Sequence, residues 1–71
     1  MQNLASYIAN ELKATNQCAV YDPELTRVWP RNGIRRQQQI EKFAKQNGWR
    51  VAHYKEGFVA IFVKEPQRNL N

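Results

Sequence analysis

Between Arg35 and Gln46 the chain sets Arg35, Gln38, Gln39, Lys42, Lys45 and Gln46 at spacings that gather them on one side of a helix. Each of these residue types has a chemistry suited to nucleic acid. The planar fork of arginine matches the O6/N7 edge of guanine, the glutamine amide matches adenine, and lysine neutralises phosphate. Arg31, Arg50 and Lys55 extend the basic set on either side. The same residues are good helix formers and would also fill an ordinary solvated face. Glu41 and Lys45 even have the spacing of a routine i, i+4 ion pair. What points beyond such a face is the balance from Arg31 to Gln46, where five bases stand against Glu41 alone.

A second surface competes with the first. Arg27, Trp29, Arg50, Tyr54, Phe58 and Phe62 interleave bases with rings. Stacking of bases on rings is worth about 1–3 kcal/mol each, with arginines between them holding phosphates. An apolar sheet face, however, is also where a helix would naturally pack, and that would bury the rings. Arg27, Trp29 and Tyr54 are therefore the alternative, stacking site.

Bond chemistry finds no support. The chain has one cysteine, Cys18, and one histidine, His53. Those counts allow no internal disulfide and no zinc site. No second histidine or close pair of acids offers acid–base catalysis, and no glycine-rich phosphate loop is present. Cys18 reads as a small buried apolar residue and His53 as a structural strand residue. The expectation is a non-enzyme without cofactor or metal.

The net charge of +5 is unevenly spread. Residues 27–55 hold eight cations against Glu41, while the remainder has a slight excess of acid. Such a block suits phosphates or an acidic protein surface. No apolar run approaches the roughly 20 residues of a membrane span. The first residues lack the basic start and apolar run of a signal peptide. A soluble, cytoplasmic protein is expected, with no membrane partner.

Seventy-one residues make one domain with a thin core. With no staple available, that core must suffice alone, unless the chain pairs as a homodimer. Residues 1–65 are expected to be compact and 66–71 to fray. Leu4, Tyr7, Ile8 and Leu12 form one stripe of a helix from about Asn3 to Ala14. Asn32-Gly33 breaks the chain. A second helix then runs to Asn47, with Arg36, Ile40, Phe43 and Ala44 inward and Gly48 at its end. Trp49–Tyr54 and Phe58–Lys64 read as a hairpin around Lys55-Glu56-Gly57. That loop pairs Tyr54 with Phe58 and Val51 with Ile61. It puts Trp49, Val51, Val59, Ile61 and Val63 under the second helix. Phe58 and Ile61 are then core candidates.

Residues 18–30 allow two readings. Leu25–Trp29 carries Thr, Val and Trp, which favour strand. The last hairpin strand is apolar on both faces and so must be central, with 25–29 on its free side. The result is an α+β domain, α-β-α-β-β, whose three-stranded antiparallel sheet has order 1-3-2 and is packed by helices. Alternatively, Asp22-Pro23-Glu24 opens a helix over 23–28. The order becomes helix, short strand, helix, helix, hairpin, which is winged-helix order. The functional expectation is a small basic nucleic-acid-binding protein, for duplex DNA before RNA, acting through helix 31–46 as a transcriptional or other DNA-associated regulator. The rival is a protein-interaction module or small inhibitor docking an acidic surface of a larger partner.

Overall fold

The computed structural model describes residues 3–30 and 34–65. Helix α1, Leu4–Ala14, opens on Asn3, whose side chain accepts from the Ser6 N–H at 2.8 Å. Its stripe buries Leu4, Ile8 and Leu12. Thr15 turns to extended backbone and ends it.

Strand β1, Gln17–Tyr21, follows directly and alternates, with Cys18 and Val20 buried. Helix α2 spans Asp22–Val28, helix α3 Ile34–Gln46, strand β2 Trp49–Lys55 and strand β3 Val59–Lys64. The sheet is antiparallel with order β1-β3-β2. Fold class and sheet order thus follow the pattern, with β3 central.

The strand expected at 25–29 does not form; that segment is α2. The slot beside β3 is filled by Gln17–Tyr21, whose alternation buries two apolar side chains there. Asp22-Pro23-Glu24 then acts as a helix start, with two acids near the positive end of the dipole and Arg27 in the last turn. Tertiary competition for one sheet edge outweighs the strand propensity of Thr26, Val28 and Trp29. The observed order, α-β-α-α-β-β, is that of the alternative expectation. β1 and β2 still run parallel on either side of β3, joined through both helices.

The hairpin register also differs. The loop is Glu56-Gly57-Phe58, one residue later than expected, with Gly57 at φ 82° and Lys55 opposite Val59. Tyr54 therefore pairs with Ala60 in place of Phe58, which keeps it on one face with Ala60 and Phe62. That face is the inward one and Val59, Ile61 and Val63 point outward, because the helices all pack over Ala60 and Phe62 and none over the aliphatic face expected under the second helix. An irregularity between Val51 and His53 restores the phase, so Trp49 and Val51 stay inside as expected. Phe58 leaves the core altogether: it is 62% exposed, with the Lys55 ammonium 4.8 Å above its ring.

One core results. Leu4, Ile8 and Leu12 of α1, Leu25 of α2, Ile40 and Ala44 of α3 and Cys18, Val20, Ala60 and Phe62 of the sheet form it. Phe43 packs edge-on to Trp29, Trp49 and Phe62 with centroids 5.0, 5.9 and 6.1 Å apart. The helices thus share one face of the sheet, and no other described element covers the opposite face.

Candidate nucleic-acid interface

Helix α3 is amphipathic in an unusual way. Its inward arc holds Arg36, Ile40 and Ala44, all buried, with Phe43 half-buried. The side opposite carries Arg35, Gln38, Gln39, Lys42, Lys45 and Gln46, and all six are exposed. At 100° per residue they fall within an arc of about 120°, spread along roughly 16 Å of helix. Asn47 and Gly48 end it, Gly48 at φ 79° and with its N–H on the Lys45 carbonyl at 3.2 Å. Trp49 packs back on the last turn, as expected.

The cations of this face are uncompensated. Among the described residues Arg35, Lys42 and Lys45 make no ion pair. The Glu41 carboxylate, at the right spacing for Lys45, accepts instead from Gln37 Nε2 at 3.3 Å. Positive potential is therefore left on the outward arc.

Arg36 anchors the helix from beneath. Its side chain is fully buried, and Nη2 donates to Asp22 Oδ1 at 2.7 Å. Nη1 lies 3.5 Å from Glu56 Oε2, and the Tyr54 hydroxyl donates to the same carboxylate. Four elements thus converge on one guanidinium: α3, the start of α2, β2 and the hairpin turn. The sequence placed Arg36 inward but gave no partner. The signal was Asp22, an acid at a helix start, which stands inside the first turn of α2 while Tyr21 takes the cap position.

The other sequence-derived residues divide. Arg31 lies outside the described residues, as do Asn32, Gly33 and the tail 66–71. Arg50 and Lys55 are exposed but stand opposite Val63 and Val59, on the open face of the sheet, away from the helix layer. The alternative stacking surface is not assembled. Phe62 is buried, Trp29 and Tyr54 are half-buried against the core, and Arg27 is paired with Glu24 at 3.1 Å. The physical reason is that the helices cover the face bearing Tyr54 and Phe62, while Phe58 sits in the turn and the 25–28 segment is helical.

Cys18 is buried, and that burial, aided by Glu11, pushes its thiol up, so it is protonated at neutral pH. His53 is exposed opposite Ile61. Among the described residues no cluster of three metal-ligating side chains exists, and no helix is long and apolar enough to cross a membrane. Comparison with family models, with curated proteins and with solved structures returned no match.

The Tyr54 hydroxyl gives a titration handle. Burial first, then its hydrogen bond to Glu56, push it up to about 12, although Arg36 nearby works the other way. An unfolded tyrosine titrates near 10. The folded state therefore holds the proton longer. This contribution to stability is complete below pH 10 and is lost as pH rises through 12. Denaturant midpoints should fall across that window, and less so in Tyr54→Phe. An equal decline in both proteins would show that Tyr54 is not the group responsible.

Proposed function

We propose that this protein binds nucleic acid, duplex DNA before RNA, with the outward face of α3, as a small transcriptional or other DNA-associated regulator. The observation that carries this reading is the row of Arg35, Lys42 and Lys45, without an ion pair among the described residues, interleaved with Gln38, Gln39 and Gln46 on one helix face. The B-DNA major groove is about 12 Å wide and admits a helix, whereas that of A-form RNA is too narrow and deep. Winged-helix element order supports the same assignment, with α3 in the groove. Mechanism is occupancy, with no bond made or broken. The protein acts in the cytoplasm, where Cys18 stays reduced.

Neutralisation of four to six phosphates predicts a slope of about −4 to −5 for log K against log[salt] on duplex DNA. Arg35→Glu with Lys42→Glu should abolish binding and leave circular dichroism unchanged, since both side chains stand in solvent. A flat salt response, or wild-type affinity in the double variant, overturns the reading. Loss of DNA binding from the outset, with capture of an acidic protein that the double variant no longer captures, would establish the acidic-surface rival instead.

A further inference from the structure

The two edges of the sheet are treated differently. β2 carries Arg50, His53 and Lys55 and an irregularity after Val51, all devices that discourage strand addition. β1 has none of them: Gln-Cys-Ala-Val-Tyr is regular, uncharged and free of proline. Its pairing with β3 fixes which groups are left over. The Asp22 N–H donates to the Phe58 carbonyl at 2.7 Å and continues the ladder of Cys18 with Phe62 and Val20 with Ala60. In an antiparallel ladder, alternate residues bond to the same neighbour. Gln17, Ala19 and Tyr21 therefore turn their N–H and C=O groups to the free edge. The Gln17 carbonyl accepts there from the Thr15 hydroxyl at 2.7 Å. A groove of about 500 Å³ runs beside this edge, lined by Leu4, Tyr7, Ala19, Val20, Tyr21 and Pro23 among others. Tyr7 and Tyr21 are 40% and 64% exposed.

We propose that the β1 edge is a self-association surface and that its occupant is β1 of a second copy, paired antiparallel about Ala19. Three features select a second copy. The edge-facing groups are symmetric about Ala19, so one register gives Ala19 opposite Ala19 with both bonds exchanged and Gln17 opposite Tyr21, the Gln17 carbonyl using its second lone pair beside the Thr15 hydroxyl. The small Ala19 side chain leaves the axis unobstructed. The charge is also distributed to permit it: the basic block lies on α3 and β2, while Glu11, Asp22 and Glu24 outnumber the cations up to residue 26. A chain of net charge +5 thus meets its copy at its least positive edge.

The geometry then covers the exposed tyrosine. The two-fold axis stands perpendicular to a continuous six-stranded sheet, so both helical layers lie on the same face. Helix α1 packs over β1 and β3. With strands about 4.8 Å apart, its copy would lie about 10 Å away, the spacing of packed helices, with Tyr7 between them. The β2 strands, and α3 above each, come to the outer ends about 24 Å apart. The association stands whether or not α3 binds nucleic acid.

Sedimentation of the full chain tests it. A species of twice the 8.4 kDa chain mass is expected, dissociating on dilution. Ala19→Pro removes the donor at the axis, where an edge strand tolerates proline on its free side. Its dissociation constant should rise at least about 30-fold with circular dichroism preserved. Should that variant not fold, Ala19→Cys in a Cys18→Ala background decides: the paired Cα atoms would be about 5.5 Å apart, within reach of a disulfide. It should oxidise to a covalent dimer, whereas Gln39→Cys in the same background should not. A wild-type monomer at the highest soluble concentration, a dimer indifferent to Ala19→Pro, or equal cross-linking at Gln39 overturns the proposal.

Discussion

Phe62→Ala is expected to cost about 3–5 kcal/mol and leave a large unfolded fraction in water. Phe62 is fully buried on the central strand, where it meets Phe43 and Trp49 edge-on at 6.1 and 6.4 Å. Cys18 and Val51 stand beside it on the neighbouring strands. Truncation would open a cavity under both α1 and α3, and the aromatic cluster around Phe43 cannot collapse into it without losing its geometry. A chain of this length has a total stability of only about 4–10 kcal/mol, so one such cavity consumes much of it. Ile61→Ala, one residue away, is expected to cost under about 1.5 kcal/mol, because Ile61 faces the open side of the sheet. Phe58→Ala should cost as little, its ring being in the turn. Urea midpoints of the three variants give the comparison. A larger loss at Ile61 than at Phe62 would mean the faces of β3 are the reverse of those described.

That contrast marks where sequence pattern reaches its limit. The stripe of α1, the inward arc of α3 and both helix-ending and hairpin glycines were legible, because each is written in local spacing. The central position of β3 was legible from its apolar character on both sides. Which of those sides would be buried was not, since the pattern placed a helix on each face of the sheet, whereas α1, α2 and α3 all pack over Ala60 and Phe62. Nothing local distinguishes the two; the bulge after Val51 reconciles the slipped turn with an inward Trp49. Residues 25–29 were read as strand on local propensity. Their β-propensity is real, but an earlier segment, Gln17–Tyr21, wins the sheet position by burying Cys18 and Val20. The outward residues of α3 were legible as a set, since helical periodicity alone puts them there. Arg50 and Lys55 were grouped with them by charge, a property that carries no information about which side of a sheet a residue faces.

Asp22→Ala is expected to be as damaging as Phe62→Ala, about 3–5 kcal/mol, for an electrostatic reason. Removing the carboxylate leaves the Arg36 guanidinium fully buried with only Glu56, 3.5 Å from Nη1, to balance it. Nε and Nη1 already lack a hydrogen-bond partner among the described residues, so the group has little reserve. The opposite deletion is milder. Arg36→Met keeps an apolar stem of similar length in the core. It leaves Asp22 nearer the surface, in the first turn of α2, where the dipole favours an anion and the Thr26 hydroxyl donates at 3.4 Å. The two losses should therefore not add. Asp22→Ala combined with Arg36→Met removes the stranded charge together with its partner, and that double variant should be more stable than Asp22→Ala alone. A double-mutant cycle from urea midpoints reads the coupling directly. Strictly additive costs would show that the pair contributes nothing as a pair, and that α3 is held to α2 and the hairpin by its apolar contacts alone. The same variants bear on the outward face of α3: Arg36→Met keeps Arg35, Lys42 and Lys45 in place, so its affinity for DNA should stay near wild type while stability falls.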